Sequence, residues 1–168
     1  IMLFFTGVSR FASEVAKEQI KNMSYKQQEL SEIQGMVDIA LDIITGSGPI
    51  EDVGSLLHES WMLKRSLSKS ISPLFIDEIY DKGMKAGATG GKLLGAGGGG
   101  FIMFFAPPHK QSDILNALSD LLFVPIEFED EGSSIIYSSD KKYSKTALEG
   151  KKGFSKYGEI KVNDDEAA

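Results

Sequence analysis

The chain has 168 residues, of which 42% are hydrophobic and 25% charged, a balance that suits one globular domain with a sizeable core and excludes a mostly disordered chain. A net charge of −6 without a basic face argues against nucleic acid as a partner, since phosphate-backbone binding draws on clustered Lys and Arg. With no cysteine, disulfides and thiolate metal sites are excluded, and with no apolar run near the roughly 20 residues of a bilayer span, a cytoplasmic protein without a membrane partner is expected.

The chain opens on Ile1-Met2-Leu3-Phe4-Phe5, already inside an apolar run, which suggests a piece of something longer. Leu3 to Val8 reads as a short buried strand. Thr6-Gly7-Val8-Ser9 turns it into a helix that begins near Arg10, with Ser9 as its N-cap. Ser24-Tyr25-Lys26-Gln27 has capping-box spacing, and Leu30, Ile33, Val37, Ala40, Leu41 and Ile44 then recur at helical intervals, the strongest amphipathic pattern in the chain. Thr45-Gly46-Ser47-Gly48-Pro49 ends that helix, with glycine in the left-handed C-terminal position, and opens another through Val53, Leu56, Leu57, Trp61 and Leu67. Ser72-Pro73 repeats the cap-then-proline signal for a helix through Ile76 and Tyr80 that fades at Gly83 to Gly87.

From Lys92 the period becomes extended. Lys92-Leu93-Leu94 leads into a glycine run, and Phe101-Ile102-Met103-Phe104-Phe105 is apolar on both faces like a central strand. Pro107-Pro108 stops it, Ile114 to Leu122 reads as a helix, Val124, Ile126 and Phe128 alternate as a strand, and Ser133 to Tyr137 gives a last strand. The expected fold is an α+β, ferredoxin-like sandwich: a small antiparallel sheet with helices on one face, spanning residues 1–138. Residues 139–168 are polar and rich in lysine, and are expected to be a mobile or loosely docked tail, held if at all through Phe154, Tyr157 and Ile160.

The glycine run carries the chemistry. Gly95, Gly97 and Gly100 satisfy G-x-G-x-x-G, but a dinucleotide fingerprint needs a helix next, and a strand follows. A Walker loop needs Gly-Lys-Ser/Thr, and Gly91-Lys92 is followed by Leu93; the protein-kinase loop lacks its V-A-I-K, H-R-D and D-F-G partners. Two readings remain on physical grounds: a nest of backbone N–H groups around an anion, or a crowded turn with another backbone close by.

Lys92-Leu93-Leu94-Gly95-Ala96-Gly97-Gly98-Gly99-Gly100-Phe101 closely resembles the third conserved motif of the GHMP kinases, the superfamily of galactokinase, homoserine kinase and mevalonate kinase. The element order over Ile1 to about Tyr137 is similar to that superfamily's C-terminal domain. Phe5-Thr6-Gly7-Val8-Ser9-Arg10, Leu56-Leu57-His58-Glu59-Ser60-Trp61 and Ile76-Asp77-Glu78-Ile79-Tyr80 look most like the heptose 7-phosphate kinase branch, which phosphorylates an anomeric hydroxyl with ATP. The resemblance implies that Gly95, Gly97, Gly98 and Gly99 present backbone to the nucleotide phosphates. It also implies substrate contacts from Thr6, Ser9, Arg10 and Lys92, with the strand-to-helix turn and the Arg10 guanidinium suited to an anionic sugar phosphate. No side chain is singled out as a catalytic group. His58 reads instead as a packing or surface residue, and Glu127, Glu129, Asp130 and Glu131 as the wet face of a strand.

The same resemblance implies ATP and Mg²⁺ as cofactors and a small sugar phosphate as substrate. It also calls for an N-terminal GHMP kinase domain that supplies the serine-rich phosphate loop, the Mg²⁺ ligands and the catalytic aspartate, to which no segment here is similar. The chain alone is therefore expected to be inactive. Two alternatives stay open: a non-catalytic module that binds a small ligand or protein, with homo-oligomer contacts on its apolar face, and a GHMP lobe serving another alcohol. An exposed apolar face with the glycine loop at its edge would fit a lobe that docks on a partner domain.

Overall fold

A computed structural model describes residues 1–46, 48–130 and 132–135. Two compact units divide the chain, Ile1–Glu127 and Phe128–Ala168, and every helix and strand below lies in the first. The tail expected at 139–168 lies outside the described residues, as do Glu131, Ile136 and Tyr137.

Strand β1 (Met2–Phe5) is followed by four helices, α1 (Ala12–Asn22), α2 (Gln27–Thr45), α3 (Asp52–Ser66) and α4 (Leu74–Lys85). The chain then returns through β2 (Gly90–Leu93), β3 (Phe101–Phe105), α5 (Gln111–Ala117) and β4 (Leu122–Val124). The strands form one antiparallel sheet in the order β2-β3-β1-β4, the strand order of a ferredoxin-like fold, and the expected α+β class holds.

Side chains alternate along strands, so one sheet face collects Met2, Phe4, Leu93, Ile102 and Phe104, each at most 2% exposed. Helices cover that face with Val15, Trp61, Ile76, Tyr80 and Ile114. Phe104 takes Tyr80 against its ring at 5.8 Å and Phe4 edge-on at 6.2 Å. Helix α3 runs along β2, where a Cβ on Gly90 would run into the Gly54 carbonyl and one on Gly54 into the Thr89 side chain.

Several expected boundaries shift. Ser9 is not an N-cap: α1 starts at Ala12 behind an extended Phe11, because Val8 is tied by its carbonyl to Gly100 and the chain stays non-helical past it. Ser24 lies in a short 3₁₀ turn, Met23–Tyr25, and α2 starts after Lys26, whose ammonium pairs with Glu29 at 2.6 Å. Gly46 is extended at φ −85° rather than left-handed; glycine is required there because the Asp42 carbonyl, which accepts the Gly46 N–H at 2.9 Å, fills the space a Cβ needs. At α4 the N-cap is Pro73, and the Ser72 hydroxyl donates to the Asp77 carboxylate.

The last expected strands also change. β4 lies at Leu122–Val124, ahead of the Val124–Phe128 alternation, because Pro125 has no N–H to continue a ladder. Glu127, Glu129 and Asp130 consequently belong to no strand, and neither do Ser133–Ile135. The strong pattern on α2 leaves none of its residues fully buried: Leu30 and Ile33 pack partly on the core, whereas Val37, Leu41 and Ile44 are more than half exposed. Among the described residues no helix is long and apolar enough to cross a membrane.

Candidate active site

The glycine run forms the hairpin loop between β2 and β3, closed at its neck by the Leu94 N–H donating to the Phe101 carbonyl at 2.8 Å. Beyond that bond Gly95, Gly97, Gly98, Gly99 and Gly100 take φ values of 74°, 120°, 78°, 155° and 98°, a path that L side chains rarely follow. The run of glycines is thus a conformational requirement of the loop.

Four parts of the fold hold that path in place. The Gly98 N–H donates to the Ile71 carbonyl at 2.8 Å, and a Cβ on Gly97 would stand 2.8 Å from the Ile71 Cα. The Gly100 N–H donates to the Val8 carbonyl at 2.7 Å, while the buried Thr6 sends both its N–H and its Oγ1 to the Gly100 carbonyl at 2.9 Å. From α1, Gln19 Nε2 donates to the Ala96 carbonyl at 2.8 Å. From the last turn of α3, Lys64 Nζ donates to the Gly95 carbonyl at 2.6 Å.

The loop brings most of the sequence-predicted residues together. Arg10 lies on it: a Cβ on Gly98 would come within 3.0 Å of the Arg10 Cδ. Thr6 braces the loop from below, with its hydroxyl occupied by the Gly100 carbonyl. Ser9 is exposed and bonds to no other described residue. Lys92 projects from β2, half-buried, and its charge reaches Lys64.

The four glycines do not contribute alike. Gly98 has already committed its N–H to Ile71, so it does not offer that group to a ligand. Among the described residues the N–H groups of Gly95, Ala96, Gly97 and Gly99 have no acceptor. The free donors are therefore displaced toward the Gly95 end. The helix-dipole setting expected beside Ser9 also moves, since α1 begins at Ala12.

Two groups escaped the sequence reading. Lys64 follows Trp61 at i+3 and so shares its side of α3, the one signal that sets it apart from the other exposed-looking lysines. Burial, and after it the charge of Lys92, pushes its ammonium below the usual lysine range. The second is Glu18 on α1, whose carboxyl is held below the usual range chiefly by hydrogen bonds from Ser70 and then Ser68. Of the two readings of His58 the packing one applies: Nδ1 lies 2.7 Å from the Tyr80 hydroxyl with the rings stacked. Burial pushes the Tyr80 phenol up to about 12.

A strand-loop-strand of glycines with unspent amides, an arginine and two lysines around it is chemistry for an anion. Residues 40–122 match the family described as GHMP kinases C terminal. That stretch, just under half of the chain, is of the GHMP kinase C-terminal family. The chain's GHMP relatives include the D-glycero-alpha-D-manno-heptose 7-phosphate kinase of Campylobacter jejuni, 30% identical over 122 residues that cover 70% of this chain and 35% of that protein. The bifunctional fucokinase/GDP-fucose pyrophosphorylase of Arabidopsis thaliana is 28% identical over 117 residues, 67% of this chain and 11% of that one. The solved Methanococcus jannaschii mevalonate kinase superposes with a TM-score of 0.61 at 28% identity, over 73% of this chain and 37% of that one.

The chain thus spans about a third of the heptose kinase it matches. GHMP kinases are phosphotransferases that in general use ATP and Mg²⁺. The loop's unspent N–H groups are donors of the kind a phosphate accepts, while glycine is required at Gly97 and Gly99 because the Ile71 and Val8 backbones fill the space a Cβ needs. The site does not fit the metal: among the described residues no group of three His, Asp or Glu side chains could hold an ion.

Proposed function

We propose that this chain is the C-terminal lobe of an ATP-dependent sugar-phosphate kinase of the cytoplasm, a heptose 7-phosphate anomeric kinase, and that it supplies one wall of the phosphoryl-transfer site. The observation that carries this reading is the clamped glycine loop, whose amides at Gly95, Ala96, Gly97 and Gly99 have no acceptor among the described residues. Phosphoryl transfer is catalysed mainly by positioning and by stabilising charge, and fixed N–H dipoles do both without reorganising. Held by Thr6, Gln19, Lys64 and Ile71, the loop keeps those dipoles in fixed positions. Arg10 at Gly98 and Lys92 add the cations that an anionic sugar phosphate needs.

In this reading Mg²⁺, the catalytic carboxylate and the serine-rich phosphate loop come from an N-terminal GHMP domain, and the lobe is inert alone. When bound, Mg²⁺ would supply charge neutralisation between the transferred phosphates. An apolar groove of about 300 Å³ between α2 and α3, lined by Ile33, Val37, Ala40, Val53 and Leu56 among others, is the open apolar face that a lobe docking on a partner domain would have, and it also serves a second reading. In that reading the fold is a non-catalytic module, or a homo-oligomer, that uses this groove. The groove and the loop share α3, whose first half lines the one and whose last turn touches the other.

The test is turnover. The chain alone, given ATP, Mg²⁺ and heptose 7-phosphate, should form no ADP above background. Joined to an N-terminal GHMP domain it should form heptose 1,7-bisphosphate. Turnover by the chain alone overturns the inert-lobe claim, and a folded, joined protein that phosphorylates no sugar overturns the kinase reading.

A further inference from the structure

Lys64 and Lys92 present an electrostatic imbalance that the fold itself does not explain. Among the described residues neither forms an ion pair, although the protein carries 24 acidic against 18 basic residues. Lys64 is half-buried, and the charge that perturbs its ammonium is another cation, Lys92, rather than a carboxylate. Among the described residues its one partner is the Gly95 carbonyl at 2.6 Å. Placing like charges together where water is partly excluded is unfavourable unless an anion joins them.

Clamping the loop does not require that charge. Gln19 performs the equivalent task one residue along, holding the Ala96 carbonyl at 2.8 Å with a neutral amide. A glutamine at position 64 would present a neutral donor of the same kind toward Gly95 and remove the second cation. The charge of Lys64 is therefore surplus to the loop's architecture.

The space beside this pair is open. Gly95 is exposed, and a Cβ built on it meets no atom within 4 Å. The N–H groups of Gly95, Ala96 and Gly97 have no acceptor among the described residues, so neutral donors accompany the two cations. An ammonium has three donor hydrogens, so Lys64 can keep the Gly95 carbonyl and still donate to a ligand.

We infer that Lys64 and Lys92 form a two-cation subsite for a phosphate group at the Gly95 end of the loop. A phosphate monoester carries between one and two negative charges at neutral pH and offers three acceptor oxygens, which matches two ammonium groups and backbone donors. The inference rests on the phosphoryl-transfer reading for the identity of the phosphate's carrier, which is either the nucleotide or the sugar. The charge argument stands without it.

The experiment titrates the full chain with inorganic phosphate, ATP without Mg²⁺, and heptose 7-phosphate, following backbone amide resonances. Phosphate should shift the amides of Gly95 and Gly97, and Lys64→Gln and Lys92→Met should each weaken binding about tenfold or more while the melting temperature stays at the wild-type value. Lys69→Met, on an exposed lysine of the neighbouring turn, should leave binding unchanged. A loss confined to heptose 7-phosphate assigns the subsite to the acceptor, and a loss confined to ATP assigns it to the donor; either supports the subsite.

Wild-type phosphate affinity in Lys64→Gln, or shifts that avoid the loop, would overturn it. If the joined two-domain protein proves inactive while phosphate binding still depends on both lysines, the kinase reading fails and the subsite survives. If that protein is active and Lys64→Gln alters neither KM nor kcat, the subsite fails and the kinase reading survives.

Discussion

Replacing Gly97 by alanine tests whether the loop is held as described. Gly97 sits at φ 120°, where an L residue is strained by about 1–3 kcal/mol. Its new methyl would also stand 2.8 Å from the Ile71 Cα and 2.9 Å from the Ile71 carbonyl oxygen, both backbone atoms that cannot swing away. Gly95→Ala is the matched control: φ is 74°, but nothing lies within 4 Å of the added methyl, so only the left-handed cost of about 1–2 kcal/mol applies.

Gly97→Ala should therefore destabilise the chain by about 2–4 kcal/mol and Gly95→Ala by about 1 kcal/mol. For a chain of this size that is a fall in Tm of roughly 5–15 °C against roughly 2–4 °C. Urea and thermal unfolding followed by circular dichroism measure both. Equal losses in the two variants would refute the clamp at Ile71, because the methyl on Gly97 would then meet no more than the one on Gly95. A larger loss in Gly95→Ala would refute the loop path itself.

Two other substitutions probe the surroundings of the loop. Thr6→Val removes the Oγ1 bond to the Gly100 carbonyl but keeps the Thr6 N–H bond, so urea unfolding should show a loss of about 1 kcal/mol, which Thr6→Ser should largely spare. Tyr80 makes stability depend on alkaline pH. Its phenol is raised to about 12 chiefly by burial, with Arg65 opposing and Asp81 adding to the rise, whereas the unfolded phenol titrates near 10. In that window the unfolded state has lost a proton that the folded state keeps. The contribution is fully present below pH 10 and lost between about 10 and 12, amounting to no more than about 2 kcal/mol. Tyr80→Phe should flatten that part of the stability curve, and an unchanged slope would place the phenol in water.

Much of the fold was legible because periodicity and burial agreed. Phe101 to Phe105 reads as a central strand and is one, with Ile102 and Phe104 fully buried on the helix side. The helix ends were less legible wherever a long-range bond, rather than local capping, decides them. Ser9 has the chemistry of an N-cap, but the Gly100 N–H takes the Val8 carbonyl and carries the chain past it before α1 can start. The alternation from Val124 to Phe128 was overridden by Pro125, which lacks the donor a ladder requires. On α2 the apolar spacing was real, but spacing states only that a face is apolar and not whether anything covers it.

The site shows the same division. The glycines announced a loop of unusual backbone, and the positive φ values give the physical reason. Which amides remain available did not follow from the glycine pattern, since it depends on Ile71 and Val8, distant in sequence, supplying carbonyls to Gly98 and Gly100. Lys64 was hidden for a similar reason. A lysine in the last turn of a helix normally reads as a solvated charge near the negative dipole end, and only tertiary packing puts this one under Gly95.

The most direct measurement of the central claim is ADP release from ATP and Mg²⁺ with heptose 7-phosphate, by the chain joined to an N-terminal GHMP domain, for the wild-type loop and for Gly97→Ala. The account predicts turnover with the wild-type loop, none from the chain alone, and a drop of at least tenfold for a folded Gly97→Ala protein. Equal turnover with and without the intact loop would contradict it, because the glycine wall would then have no part in moving the phosphate.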